Sequence, residues 1–174
     1  MSRSAHPAGP RHADVLPEAH AGSIPADVNR LDPAVWPQSA RRDNGVLTLA
    51  GAPVTDLAAE HGTPALFLDE DDLRARARAY ATAFEGVDAY YAGKAFLCTS
   101  VAGWIADEGL GLDVCTGGEL AVALAAKFPP RRIAVHGNNK SRAELQRAVE
   151  AGVGHIIVDS FDEIVRLDEV ASAA

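Results

Sequence analysis

A chain of 174 residues with 48 % hydrophobic side chains can bury one ordinary core and a piece of a second domain. Its 24 acidic and 16 basic side chains, a net charge of −8, argue against the basic stripe of a nucleic-acid surface and favour a small-molecule partner. Two cysteines without paired spacings point to a reduced, cytoplasmic setting, and the sequence has no run of about 18 apolar residues to span a membrane.

Residues 1–27 are rich in Pro, Ala, Gly and His and lack the apolar core of a signal peptide, so a disordered tail is expected there. Order is expected to begin at DVNRLDPAVWP, where Leu31, Val35 and Trp36 can dock on a body while Pro33 and Pro37 forbid a long helix. GVLTLAG (45–51) alternates and ends in glycine, which predicts a short strand. VTDLAAEHG predicts a short helix with Thr55 as N-cap and Gly62 as its stop. PALFLD (64–69) predicts another strand, and EDDLRARARAYATAFEG a helix with acids in its first turn and a terminal glycine.

A rhythm then sets in. VDAYYAGKA, GLDVCT, RIAVHG and HIIVDS, beginning near 87, 111, 132 and 155, read as short apolar strands. The helical patterns SVAGWIADEG, GGELAVALAAKF and SRAELQRAVEAG lie between them, and FDEIVRLDEVASAA runs to the end. Three of these helices open on S/T-x-x-E, at Thr116–Glu119, Ser141–Glu144 and Ser160–Glu163, the pattern of a capping box. Consecutive βα units with continuous apolar strands predict a parallel sheet covered by helices. The first turn, GKAFLCTS, has no G-x-G-x-x-G, which removes the usual dinucleotide fingerprint and leaves a (β/α)8 barrel as the better reading. A barrel needs eight strands and about 250 residues, so on that reading the chain is the front half of a longer enzyme. A half-barrel leaves two parallel edges uncovered, and this chain alone is expected to be poorly soluble and inactive.

In βα folds, reacting groups gather at the C-terminal ends of the strands. The four ends here carry Lys94, then Asp113 and Cys115, then His136, Asn138 and Asn139, then Asp159 and Ser160. Such residues also mark plain strand-to-loop transitions. An amine set against Tyr90, Tyr91 and Phe96 should be partly desolvated and nucleophilic toward carbonyls, although a lysine snorkelling from a strand end would look the same. Glu119 is accounted for by its capping box. Cys98 and Cys115 read as packing residues, and no ligand spacing joins them to His136 or His155, so no metal site is expected. His155 begins a strand, at the wrong end for chemistry, and reads as structural.

YAGKAFLCTSVAGWIADEG (91–109) resembles the pyridoxal-phosphate attachment signature of the alanine-racemase-like (fold type III) barrel decarboxylases. An aromatic residue stands three before the lysine and a small residue two before it. Another small residue follows, and apolar positions at helical spacing lead to a glycine. GLDVCTGGELAVAL, RIAVHGNNKS and AGVGHIIVDSFDEIVRL resemble the following segments in the diaminopimelate branch of that family, and the N-terminal tail is similar to actinobacterial versions. The resemblance implies a pyridoxal 5′-phosphate cofactor held covalently by Lys94, with Asp113 near the cofactor and His136 as a further cofactor-binding residue. It implies the first four βα units of a pyridoxal-phosphate-binding TIM barrel over 70–174, preceded by a contribution to a separate β-domain over 28–69. The implied reaction turns meso-2,6-diaminopimelate into L-lysine and CO2, the last step of lysine biosynthesis, in a homodimer at full length. The phosphate loop, substrate-clamping arginines, and catalytic cysteine and tyrosine of the family belong to the part that this chain does not carry. Decarboxylation of ornithine, arginine or carboxynorspermidine, a non-catalytic pyridoxal-phosphate-binding relative, and a Schiff-base aldolase remain the alternatives.

Overall fold

The structure, a computed structural model, describes residue 27 and residues 29–173. The expected disordered tail therefore lies outside the described residues, Asp27 apart. The chain divides into two compact units, with the boundary in sequence between His61 and Gly62.

In the first unit, β1 (Arg41–Asp43), β2 (Val46–Leu49) and β3 (Ala52–Pro53) form an antiparallel sheet in chain order. Asp43 pairs with Val46 around Asn44 and Gly45, both at positive φ (51° and 82°), the conformation of a two-residue hairpin turn. Only β2 was expected. α1 (Val54–His61) follows β3 without a loop, so Thr55 lies inside the helix and is not its N-cap. Its hydroxyl instead donates to Asp56 Oδ1 at 3.4 Å. Val35, expected to dock, is 76 % exposed. A tight turn on Asp32, whose Oδ1 accepts from the Ala34 N–H at 2.9 Å, leaves it pointing to solvent, while Leu31 and Trp36 are half-buried.

The second unit departs from expectation first at PALFLD: residues 65–69 form no strand, and Leu66 is 75 % exposed. A strand exists only through a ladder partner, and none among the described residues pairs with this segment. α2 (Glu70–Ala83) is N-capped by Asp69, which accepts from the Asp72 N–H at 3.0 Å. The remaining elements alternate: β4 (Tyr90–Ala92), α3 (Thr99–Asp107), β5 (Gly111–Val114), α4 (Gly117–Ala125), β6 (Ile133–Val135), α5 (Arg142–Ala151), β7 (His155–Ile156) and α6 (Phe161–Ala173). The four strands form one parallel sheet in the order β4-β5-β6-β7. That order follows the chain without reversal, which is the winding of a barrel wall and not of a doubly wound sheet with a switch point.

Packing explains why the sheet is covered on one face. Leu112 and Val114 of β5 and Ile133 of β6 are fully buried against Val101, Ala102 and Ile105 of α3, Leu120 and Ala123 of α4, and Ala148 of α5. Side chains alternate along a strand, so Asp113, between Leu112 and Val114, points to the other face. α2 is tied to α3 by Arg74, which reaches Glu108 at 2.7 Å and Asp107 at 3.3 Å, and by Arg78, which reaches Glu108 at 2.8 Å.

Truncating Leu112 to alanine should cost about 2–5 kcal/mol in chemical denaturation, whereas Leu66→Ala should change stability by less than about 0.5 kcal/mol. Equal losses would place the core elsewhere.

Candidate functional site

Parallel pairing brings the strand ends together. Ala92 of β4 stands beside Asp113 of β5, Asp113 beside Ala134 of β6, and Ala134 beside His155 of β7. Lys94 lies two residues beyond Ala92 and His136 two residues beyond Ala134, so all three expected site residues belong to the C-terminal end of the sheet.

Lys94 sits in a 3-10 turn, Gly93–Ala95, that closes directly on β4. Gly93 is buried, and a Cβ there would stand 3.0 Å from the Asp113 carbonyl oxygen and 3.3 Å from Leu97 Cδ2. The missing side chain lets the lysine-bearing turn lie against the end of β5. The Tyr91 hydroxyl donates to the Phe96 carbonyl at 2.8 Å and so ties β4 to the residue that follows the turn. Burial raises the Tyr91 pKa above the usual phenol value, although the hydrogen bond to Phe96 acts the other way. Contrary to the expected aromatic enclosure, Lys94 is exposed and Phe96 is 39 % exposed. Tyr91 instead packs on the helix-covered core with its hydroxyl on the Phe96 carbonyl, and the amine is left accessible.

Asp113 and His136 are joined directly, Asp113 Oδ1 to His136 Nδ1. The carboxylate is the more sheltered partner, with 15 % of its side chain exposed against 46 % for the imidazole. Since an ionised carboxylate can only accept, the contact places the ring proton on Nδ1 and leaves Nε2 for a ligand. Cys115 follows β5, half-buried; burial first, and then the negative charge of Asp113, push its thiol pKa up, while the Lys94 charge opposes them. That environment keeps the thiol protonated and unreactive. Cys98 is half-buried against the core, and neither cysteine is in a disulfide.

The other strand-end residues divide into capping groups and exposed ones. Asn138 and Asn139 are exposed. The Thr116 hydroxyl accepts from the Glu119 N–H at 3.1 Å, but the Glu119 carboxylate reaches past Thr116 to the Cys115 N–H at 2.6 Å. Ser160 and Glu163 repeat this arrangement: Ser160 Oγ accepts from the Glu163 N–H at 3.2 Å, and Glu163 accepts from the Asp159 N–H at 2.9 Å. Only Ser141 and Glu144 complete the reciprocal box. Lys140, in the loop before α5, is buried at 2 % exposure. Nothing in HGNNKS distinguishes it from a surface lysine, so sequence reasoning missed it.

At the opposite ends of the strands a cleft of about 320 Å³ is lined by residues including Phe84, Tyr90, Arg132 and His155. There the Tyr90 hydroxyl and His155 Nδ1 lie 3.4 Å apart, and no residue of the Lys94 face reaches that cleft. Among the described residues no group of three or more His, Cys, Asp and Glu side chains could hold a metal ion. No helix among them is long and apolar enough to cross a membrane. The Lys94 face suits an aldehyde cofactor: an accessible primary amine on a fixed turn, beside an oriented carboxylate–imidazole pair.

Residues 70–174 match the family model for the pyridoxal-dependent decarboxylases, pyridoxal binding domain. The chain is 61 % identical over 146 residues to a diaminopimelate decarboxylase of Mycobacterium tuberculosis, a match covering 83 % of this chain and 33 % of that protein. It is 55 % identical over 176 residues to a diaminopimelate decarboxylase of Mycobacterium leprae, covering 97 % of this chain and 37 % of that one. Among solved structures, a diaminopimelate decarboxylase from M. jannaschii in complex with L-lysine superposes with a TM-score of 0.72 at 28 % identity, over 78 % of this chain and 33 % of that one. The chain spans about a third of the length of the curated relatives that it matches.

Glu144 joins two of the helix starts that frame this face. One oxygen takes the Ser141 N–H at 2.9 Å and the other the Gly117 N–H at 2.8 Å. The Ser141 N–H first, then the Ser141 hydroxyl and the Gly117 N–H, hold its carboxyl below the ordinary value of 4.5. A carboxylate with a depressed folded-state pKa stabilises the fold fully above its unfolded-state value and loses that contribution as pH falls through the folded one. Glu144→Gln should therefore be less stable than the parent at neutral pH, and the gap should close below about pH 4. Denaturation midpoints that fall in parallel through that range would contradict the assignment.

Proposed function

Because this chain belongs to the pyridoxal-dependent decarboxylase family, we propose that it carries the cofactor-attachment part of a diaminopimelate decarboxylase, with Lys94 as the attachment residue. The observation that carries this reading is the exposed Lys94 amine, fixed by Gly93 against the strand end whose Asp113 orients His136.

When bound, pyridoxal 5′-phosphate supplies an electron sink for the bonding pair released as CO2 departs. Lys94 Nζ would be the nucleophile that holds the cofactor's aldehyde carbon, and the Gly93–Ala95 turn fixes that amine at the strand-end face. Asp113 holds His136 through Nδ1 and would leave Nε2 available to the cofactor. Substrate choice follows the similarity to the mycobacterial enzymes: meso-2,6-diaminopimelate in, L-lysine and CO2 out, as the last step of lysine biosynthesis. A net charge of −8 and two free cysteines support a cytoplasmic setting, and a homodimer is proposed for the full-length protein. The domain reading is carried forward likewise: 28–69 as a contribution to a β-domain, 70–174 as the opening of the barrel.

The test uses a polypeptide that carries this chain within the relatives' full length, supplied with pyridoxal phosphate. It should form lysine and CO2 from meso-diaminopimelate, and Lys94→Ala should abolish product while remaining folded. Release of putrescine from ornithine or agmatine from arginine, with diaminopimelate untouched, would overturn the substrate. Undiminished turnover by Lys94→Ala would overturn the attachment residue.

A further inference from the structure

Lys140 and Glu163 form a buried ion pair that the proposed chemistry does not use. Both residues are 2 % exposed, although lysine and glutamate are seldom fully buried. Lys140 Nζ lies 3.0 Å from Glu163 Oε1 in the first turn of α6. It also donates to the Gly137 carbonyl within its own loop and, at 2.6 Å, to the Ile157 carbonyl just beyond β7. Burial pushes the Glu163 pKa up, but the Asp159 N–H and Lys140 outweigh it and keep the carboxyl below its ordinary value. A single cation thus gathers the loop after β6, the end of β7 and the start of α6.

A buried ion pair is a poor means of gaining stability, because apolar residues of the same volume do as well or better. Its geometry here is directed at the site. Gly137, whose carbonyl Lys140 takes, is the residue after His136. It holds a φ of +118°, and a Cβ there would stand 3.2 Å from the Cys115 carbonyl oxygen. The loop is therefore pressed onto the end of β5, the strand that bears Asp113, and the Lys140 ammonium holds its Gly137 carbonyl.

We propose that Lys140 is a positioning residue: it pins the Gly137 and Ile157 carbonyls and so holds His136 against Asp113. With its own amine enclosed by three oxygens, Lys140 also leaves Lys94 to meet an aldehyde. The importance of this device rests on the reading of the Lys94 face as the cofactor site, but its contacts need no cofactor, and neither does its test.

The imidazole ¹⁵N signals of His136 report whether Nδ1–H is held in a hydrogen bond. They can be recorded on the cofactor-free polypeptide that carries this chain, with Asp113→Asn as the reference for a weakened contact. Lys140→Met/Glu163→Gln removes both charges together and keeps an acceptor for the Asp159 N–H, so no lone buried charge remains to unfold the protein. This double variant should be folded and should show the His136 signals of Asp113→Asn. Glu163→Gln alone keeps the ammonium on its two carbonyls and should retain the parent signals. A folded double variant with parent His136 signals would overturn the proposal, as would loss of those signals in a Glu163→Gln variant that remains folded.

Discussion

The parallel ladder that sets Ala92, Asp113, Ala134 and His155 side by side is the constraint on which the rest of the site depends. A shift by one residue would turn Asp113 into the helix-covered core and Leu112 out of it. Burying Leu112, Val114 and Ile133 under α3, α4 and α5 holds that register. With register set, the strand ends must bring Lys94, Asp113 and His136 to one end of the sheet. The chemistry is then a consequence of where the apolar residues pack.

The transitions from strand to helix are secured by acids in the first helical turns. Such carboxylates meet unpaired amide donors and favour the positive end of the helix dipole. Glu144 links the start of α5 to that of α4, Glu119 holds the end of β5, and Glu163 holds the segment after β7. Lys140 completes the set from the opposite charge, tying the loop after β6 to α6. The rim around Lys94 is thus stiffened by backbone hydrogen bonds at successive units, as a site that positions a cofactor requires.

Much of this was legible in the sequence because the signals were local. Continuous apolar strands, amphipathic helices and S/T-x-x-E starts placed β4 to β7 and α3 to α6 near their observed positions. Features that depend on partners were not legible. Residues 64–69 look like a strand but have no ladder among the described residues, and β1 and β3 were overlooked although Asn44-Gly45 is a strong hairpin signal. Thr55 follows the spacing of a cap, yet α1 starts directly off β3. The aromatic neighbours of Lys94 suggest an enclosed amine, but in the fold Lys94 is exposed and Tyr91 packs on the core. Glu119 and Glu163 reach one residue further back than a capping box would. The burial of Lys140 depends on carbonyls and an acid that only the tertiary fold brings within reach.

The central claim is that this face presents Lys94, and not another amine, to pyridoxal phosphate. The most direct measurement mixes the cofactor with the protein, traps the adduct with borohydride, and maps the modified peptide by mass spectrometry. The structure predicts label confined to Lys94, with Lys140 protected by its burial. Label spread over Lys94, Lys127 and Lys140, or an unlabelled Lys94, would contradict it.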